Sequence, residues 1–174
     1  MKIRFKRNIM KEGQQVMGKT LIAFYSYTGN TRKLASQIHK TIGGDIVEIE
    51  TVKPYEGDYN SVVNQGQDEV NSGYKPAIRP LSVQLDKYDT IVLGTPVWWY
   101  TVAPAVLTFL TDNNFVGKKI IPFATNGGWI GHTFTDIKEL CPDSEVKNEI
   151  NIKFSGDKLS TSMKEIDKWM DDIK

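Results

Sequence analysis

Cysteine is nearly absent from this chain of 174 residues, since Cys141 is the only one. A lone cysteine has no partner in the chain for a disulfide or for C-x-x-C redox chemistry. Only two histidines occur, and no set of His, Cys, Asp and Glu has the spacing of metal ligands. We therefore expect no metal site, and we expect Cys141, just before Pro142 at a predicted helix end, to be a buried or inert thiol.

The sequence also lacks the side-chain patterns of enzymes that act without a cofactor. No nucleophile–base pair and no serine-hydrolase elbow is visible, so we expect no catalytic side chain and assign any redox chemistry to a bound cofactor. No basic stripe with interleaved aromatic residues is present, which disfavours nucleic-acid binding. No apolar run approaches membrane length. We therefore expect a cytoplasmic protein with no nucleic-acid or membrane partner. We also expect it to be a monomer.

The first 16 residues differ in charge from the rest of the chain. They hold five of the 22 Lys and Arg residues and one of the 21 Asp and Glu residues, which leaves 17 against 20 and a formal charge of −3 for residues 17–174. Their apolar residues are too scattered for a secretory signal. Lys11–Val16 could be encoded by a purine-rich, ribosome-binding-like stretch, so we hypothesise that translation begins at Met17. A basic surface arm and an interfacial helix are the alternatives.

Residues 17–174 are predicted to form one α/β domain. Repeated strand–helix units predict a parallel sheet covered by helices on both faces, in three layers. For a doubly wound sheet of five strands the expected strand order is 2-1-3-4-5, with ligands bound beyond the carboxyl ends of the strands, at the switch point beside strand 1. The apolar runs that predict the strands lie at 21–25, 46–52, 90–94, 119–124 and about 148–154.

A long polar stretch between strands 2 and 3 is predicted to hold a helix from about Asp58 to Asn71. Tyr55 and Tyr59 flank its start and could shield a ligand, but we favour packing against the sheet. Apolar spacing near 3.6 predicts a helix over 103–112 and another at the end of the chain, where it places Trp169 in the core.

A hydroxyl-rich turn joins the first strand to the first helix. Backbone N–H groups of a first helical turn lack intrahelical partners and carry partial positive charge, so anions bind there. Gly29 permits positive φ and close approach of a ligand. The turn lacks the spacings of magnesium-nucleotide and dinucleotide loops, which favours a single terminal phosphate. An ordinary helix cap by Thr28 or Asn30 is the alternative. The predicted phosphate cradle comprises Ser26, Tyr27, Thr28, Gly29, Asn30 and Thr31.

Two adjacent indoles, Trp98 and Trp99, follow the third strand. Successive side chains of an extended backbone point to opposite sides, so both cannot face the core. We therefore expect one indole to stack on a flat ligand, a contact worth about 0.5–1.5 kcal/mol beyond area burial. Trp98 is our choice and Trp99 is its competitor, while a simple cap on the sheet end by both is the alternative to ligand binding.

A third loop follows the fourth strand and has two glycines that keep side chains out of the way of backbone N–H groups. Without its place in the fold, its Asn-Gly-Gly sequence is only a turn signal. His132 follows Gly131 in this loop and could approach the edge of a bound ligand, but we expect it to be exposed; His39, on the first helix, is expected to be solvated.

These three segments together resemble loops of the flavodoxin family, in the branch with a P-V-W-W segment. The S-Y-T-G-N-T sequence at 26–31 looks like the FMN-phosphate loop, and those at 95–100 and 120–129 look like the two flavin-ring loops. The resemblance spans about Lys19 to the C-terminus. It implies FMN as cofactor, with the ring held by Thr95, Pro96, Val97, Trp98, Trp99, Thr125, Asn126, Gly127 and Gly128.

The resemblance also implies a protein that cycles flavin redox states. Electron transfer to redox partner proteins is favoured, because nothing in the sequence marks a nicotinamide site. The alternative is an FMN-dependent NAD(P)H or quinone oxidoreductase with a small-molecule donor or acceptor, and the weakly acidic charge of 17–174 departs from that of acidic carriers. An interaction module without flavin is a third possibility. Few cations and apolar stacking by Trp98 are expected to disfavour the anionic reduced flavin and lower its potential.

Overall fold

The computed structural model describes residues 18–174, so the predicted N-terminal extension over 1–16, and the start at Met17, lie outside the described residues. A parallel sheet of five main strands forms the centre of the molecule. These strands are β1 (Thr20–Phe24), β2 (Asp45–Glu48), β3 (Thr90–Trp98), β5 (Lys119–Asn126) and β7 (Ile150–Ser155). Three short strands pair with them, namely β4 (Thr101–Val102), β6 (Glu145–Val146) and β8 (Lys158–Leu159).

The main strands lie in the order β2-β1-β3-β5-β7. This order confirms the predicted doubly wound α/β sheet with strand order 2-1-3-4-5. β4 and β8 are antiparallel partners of β3 and β7 and form hairpins at the carboxyl ends of these strands, which the prediction of five strands did not include.

In the described part of the chain, five α-helices cover the sheet: α1 (Asn30–Ile42), α2 (Tyr59–Ser72), α3 (Pro104–Asp112), α4 (Thr133–Leu140) and α5 (Met163–Asp172). Their ends follow local capping chemistry. The Asp58 carboxylate accepts from the backbone N–H of Ser61 at the start of α2, and Gly73 in the left-handed region ends that helix. The predicted helices over 58–71 and 103–112 are therefore confirmed to within one residue. No helix of residues 18–174 is long and apolar enough to cross a membrane.

Two apolar clusters fill the spaces between the sheet and its helices. Alternate residues of one strand enter different clusters, as Leu21 and Ile22 do in β1. Burial on both faces explains why the parallel strands read as continuous apolar runs. Trp169 of α5 packs in the second cluster against Phe123, which confirms its predicted place in the core.

Strand β3 is longer than its apolar run predicts. The run ends at Gly94, but Thr95 and Pro96 continue the parallel pairing with Ala124 and Thr125 of β5. Proline lacks only one backbone donor and the pairing continues around it. As a result, most of the predicted second loop belongs to a strand, and its residues hold the fixed positions of a strand.

Candidate functional site

A cavity of about 520 Å³ opens at the carboxyl ends of β1, β3 and β5. Its volume lies in the range of about 300–1,000 Å³ that holds small-molecule ligands, and its place is the expected switch point of the sheet. All three predicted loops contribute to its wall. Of the predicted residues, those that line it are Tyr27, Thr28, Asn30, Pro96, Val97, Trp98, Trp99, Thr125, Asn126 and Gly127.

The other predicted residues do not line the cavity; they are Ser26, Gly29, Thr31, Thr95 and Gly128. Three of these carry hydroxyl groups that make internal hydrogen bonds. The hydroxyls of Thr31 and Thr125 lie 2.8 Å apart in a buried position, and the Ser26 hydroxyl accepts from the backbone N–H of Arg32. The Thr95 hydroxyl accepts from the backbone N–H of Ala103. These hydroxyls therefore hold the loops in place behind the cavity wall.

The turn after β1 leaves the first turn of α1 without a cap from either predicted capping side chain. Gly29 precedes the helix with φ of 98°, and its own carbonyl begins the helical hydrogen bonds by accepting from Lys33. The Thr28 side chain makes no such cap, and the Asn30 amide instead donates to the carbonyl of Gly156 at 2.9 Å. The amino end of α1 therefore presents its dipole to the cavity.

The two indoles reach the same cavity, contrary to the expectation that they point to opposite sides. Trp98 is the last residue of β3, and the chain turns immediately after it. Trp99 and Tyr100 have φ of 47° and 70° and form a two-residue hairpin turn between β3 and β4. Positive φ at both central residues is the signature of a type I′ turn. The alternation of an extended strand ends at Trp98, which is why both rings line one cavity.

Trp98 is held within a cluster of tyrosines. Its ring makes edge contacts with Tyr25, Tyr27 and Tyr55, with ring centroids 6.1, 5.8 and 4.9 Å apart. Helix α2 approaches its other side at Gly66, where an added Cβ would lie 2.9 Å from Cε3 of the indole. The absence of a side chain at Gly66 thus allows the helix to close over Trp98.

Trp99 is more open to solvent, with 36% of its surface exposed. Its indole N–H donates to the carbonyl of Val63 in α2 at 3.1 Å. This bond fixes the ring across the mouth of the cavity. The assignment of stacking to Trp98 stays a prediction, with Trp99 as its competitor.

The two tyrosines that flank the start of α2 have different surroundings. Tyr55 packs against the first apolar cluster and its hydroxyl donates to Glu69 at 2.6 Å, so the packing prediction is confirmed for Tyr55. Burial, together with that hydrogen bond, raises the pKa of Tyr55 well above its usual value. The packing prediction is wrong for Tyr59, which is 72% exposed and lines the cavity, because it begins α2 above the cavity mouth.

Sequence reasoning missed two parts of the wall. One is the inner face of α2, with Val62, Val63 and Gly66, and the other is the end of β7 with the turn that follows, Phe154, Gly156 and Asp157. The second part has a signal in the sequence, because a Gly-Asp turn follows the fifth strand at the same edge of the sheet as the predicted loops. The inner face of α2 has no such signal, because its apolar spacing is that of any amphipathic helix.

The cavity wall contains no basic side chain among the described residues. Within residues 18–174, Asp157 is the only charged residue that lines it. An anion in this cavity would therefore be held by backbone N–H groups, hydroxyls, amides and the α1 dipole. Within residues 18–174, no cluster of three or more His, Cys, Asp and Glu is placed to hold a metal ion.

The remaining candidate residues lie away from the cavity. Cys141 is buried at the end of α4, as predicted, and desolvation raises its pKa to about 11. His132 is exposed, as expected, and its Nδ1 lies 2.5 Å from a carboxylate oxygen of Asp136. His39 was expected to be solvated, but it is half-buried and its Nδ1 has no hydrogen-bond partner in the described part of the chain.

Comparison with known proteins relates this architecture to flavoproteins. A family model described as Flavodoxin matches residues 19–173. A candidate flavoprotein from Bacteroides eggerthii is 30% identical, with 90% of this chain and 98% of that chain covered and a TM-score of 0.75. One from Bacteroides uniformis is 28% identical, with coverages of 88% and 98% and a TM-score of 0.76. A flavoprotein from Lactobacillus acidophilus, solved in complex with FMN, is 25% identical, with coverages of 87% and 98% and a TM-score of 0.66. No curated protein matches the chain.

Proposed function

The chain belongs to the flavodoxin family, and on that premise we propose that it binds FMN in the cavity at the carboxyl ends of β1, β3 and β5 and transfers electrons through it. The observation that carries this proposal is the convergence of three turns, from distant parts of the sequence, on one cavity at the amino end of α1. The match to a flavoprotein solved with FMN supports the choice of cofactor.

The phosphate of FMN would bind at the amino end of α1. The Thr28 and Asn30 side chains line this end of the cavity, and Gly29 leaves open space where a side chain would stand. Backbone N–H groups and the helix dipole favour negative charge here, so a phosphate can be held without a lysine or arginine.

The flavin ring would lie between the indoles and the turn that follows β5. Trp98 is proposed as the stacking residue, with Asn126 and Gly127 offering backbone N–H groups to the polar edge of the ring. When bound, FMN supplies one- and two-electron transfer. Among the described residues the wall supplies apolar side chains and no cation, which disfavours negative charge on the reduced cofactor and lowers its potential.

We propose a cytoplasmic, monomeric electron carrier that exchanges electrons with redox partner proteins. The carrier role is favoured over a reductase because no motif in the sequence marks a nicotinamide site.

A reductase is the second candidate, and one feature favours it. Trp129 is 76% exposed and its ring makes an edge contact with Tyr100, next to the indole pair on the β3–β4 turn. Exposed aromatic rings beside a flavin would give a flat substrate such as a quinone a surface for stacking. This role would leave the same FMN site in place.

The absorption spectrum of the purified protein, followed under anaerobic conditions, tests both roles. We expect a yellow protein after FMN addition that is bleached by dithionite or by a separate reductase, and only slowly by NADH or NADPH. Rapid bleaching by a nicotinamide would contradict the carrier and support the reductase. A protein that stays colourless with FMN would overturn both.

A further inference from the structure

Among the described residues that line the cavity, Asp157 is the only acidic one and none is basic. An FMN phosphate carries a charge between −1.5 and −2 at pH 7, of the kind found for other phosphate monoesters. We propose that Asp157 is a specificity-determining residue. Its carboxylate repels the FMN phosphate and weakens FMN binding, so it reduces the ratio of FMN affinity to the affinity for uncharged flavins. This inference rests on the proposed FMN site.

The position of Asp157 is fixed from two sides. It lies in the turn of the β7–β8 hairpin, where Ser155 pairs with Lys158 across it. The preceding residue, Gly156, accepts a hydrogen bond at 2.9 Å from the side chain of Asn30, the first residue of α1. The carboxylate-bearing turn is therefore tied to the same helix end that would hold the phosphate.

Repulsion at this site would be only partly screened. Asp157 is exposed and also lines the cavity, so its interaction with an anion bound there is screened in part by water. None of the described residues that line the cavity is a lysine or an arginine. Replacement of the carboxylate by an amide should therefore strengthen FMN binding by about 3- to 5-fold at low salt.

The test is a fluorescence titration of the apoprotein with FMN and with riboflavin, for the native chain and for Asp157→Asn. We expect Asp157→Asn to lower the Kd for FMN by that factor and to leave the Kd for riboflavin within about twofold, with the FMN effect reduced in 0.5 M salt because of screening. Asp143→Asn removes the same charge at a position away from the cavity and serves as the control. Asp143 is exposed before the short β6, which pairs with the amino-terminal end of β5, away from the cavity.

The outcomes separate this inference from the proposed function. If the native chain binds no FMN, the proposed function fails. If it binds FMN but Asp157→Asn leaves FMN affinity unchanged, or changes FMN and riboflavin affinity equally, the FMN site stands and the specificity role of Asp157 is wrong. An equal loss for both flavins would instead show that Asp157 accepts a hydrogen bond from a group that they share.

Discussion

Residues of the turn after β1 divide into two groups by their place relative to the cavity. Ser26 and Thr31 are buried and make internal hydrogen bonds away from the cavity, whereas Thr28 and Asn30 line it, with the Asn30 amide also donating to the carbonyl of Gly156. Loss of an internal bond of the first kind leaves a buried polar group unsatisfied and costs about 1–3 kcal/mol of stability. Changes at Thr28 should instead act on binding.

A negative charge at residue 28 is predicted to abolish FMN binding. In Thr28→Glu the carboxylate would meet the phosphate in a partly desolvated cavity, where repulsion exceeds that in water several-fold. The fold should persist, because residue 28 is exposed in a turn and acidic groups are tolerated at a helix N-terminus. Glutamine has the shape of glutamate without the charge, so Thr28→Gln is the matched control in an FMN titration.

Riboflavin provides the ligand control for this substitution. It should bind the native protein far more weakly than FMN and respond much less to Thr28→Glu, since it has no phosphate. Equal affinities of the native protein for FMN and riboflavin would mean that the turn is an ordinary helix start.

The two indoles should differ in their effects on FMN. Trp98→Ala is predicted to weaken FMN binding by a few kcal/mol at most and to raise the reduction potential, because water would reach the reduced cofactor. It should also lower the free energy of unfolding by about 2 kcal/mol, since the ring contacts three tyrosines. Titration, potentiometry and denaturant melts measure these effects. If Trp99→Ala changes the affinity and the potential and Trp98→Ala does not, the stacking assignment is reversed.

The β3–β4 hairpin is the element that directs both indoles into the cavity. The residue just before α4 holds this turn, because the backbone N–H of His132 donates to the carbonyl of Tyr100 at 2.8 Å. Gly131 makes this approach possible. A Cβ there would lie 2.2 Å from the same carbonyl oxygen, and the residue has φ of 56°.

Gly131→Ala is therefore predicted to destabilise the protein by about 3 kcal/mol or more, because steric overlap with backbone adds to the cost of positive φ. Gly73→Ala is the matched control: Gly73 has φ of 64° but no atom within 4 Å of an added Cβ. It should cost only about 1–2 kcal/mol. Denaturant melts of both variants measure the difference, and equal losses would contradict the close packing of the hairpin on α4.

At the scale of the whole molecule, stability comes from the two apolar clusters that sandwich the sheet. Cys141 belongs to the first cluster and is 5% exposed, so its thiol reports on opening of the core. Burial raises its pKa to about 11. At pH 8 roughly one thiol in a thousand of the native protein would be ionised, by the definition of pKa.

Labelling of Cys141 by a disulfide reagent at pH 8 is thus predicted to require opening of the fold. The rate should be far below that of the denatured chain, and saturating FMN should slow it further, because a ligand that binds only the native state stabilises it. Labelling of the native protein as fast as in denaturant would contradict the buried position.

The same thiol predicts a loss of stability in alkali. The unfolded chain ionises near the ordinary thiol pKa, while the folded chain holds the proton until about pH 11. Between these values the unfolded state binds fewer protons, so the contribution of Cys141 to the free energy of unfolding falls as the pH rises. Melts of native protein and Cys141→Ala between pH 8 and 10.5 would isolate this contribution, and parallel curves would contradict it.

Some features of this protein follow from local sequence alone. Continuous apolar runs predicted the five main strands because parallel strands buried on both faces need apolar residues at every position. The turn at 26–31 could be placed at a helix start because hydroxyls and Gly29 mark such turns, and Trp169 could be placed in the core by its helical spacing. The strand order came from the class of fold that these elements imply.

Only the tertiary structure decided how the cavity is completed. The indoles share one cavity because Trp99 and Tyr100, neither of them glycine, adopt positive φ, which no local pattern marks. The wall supplied by α2 depends on the approach of Gly66 to Trp98, and the charge of the wall depends on the turn at Asp157, tied to Asn30 across 126 positions of sequence. Contacts between segments so far apart depend on the packing of the whole sheet, whereas a sequence pattern reports only which face of each segment is apolar.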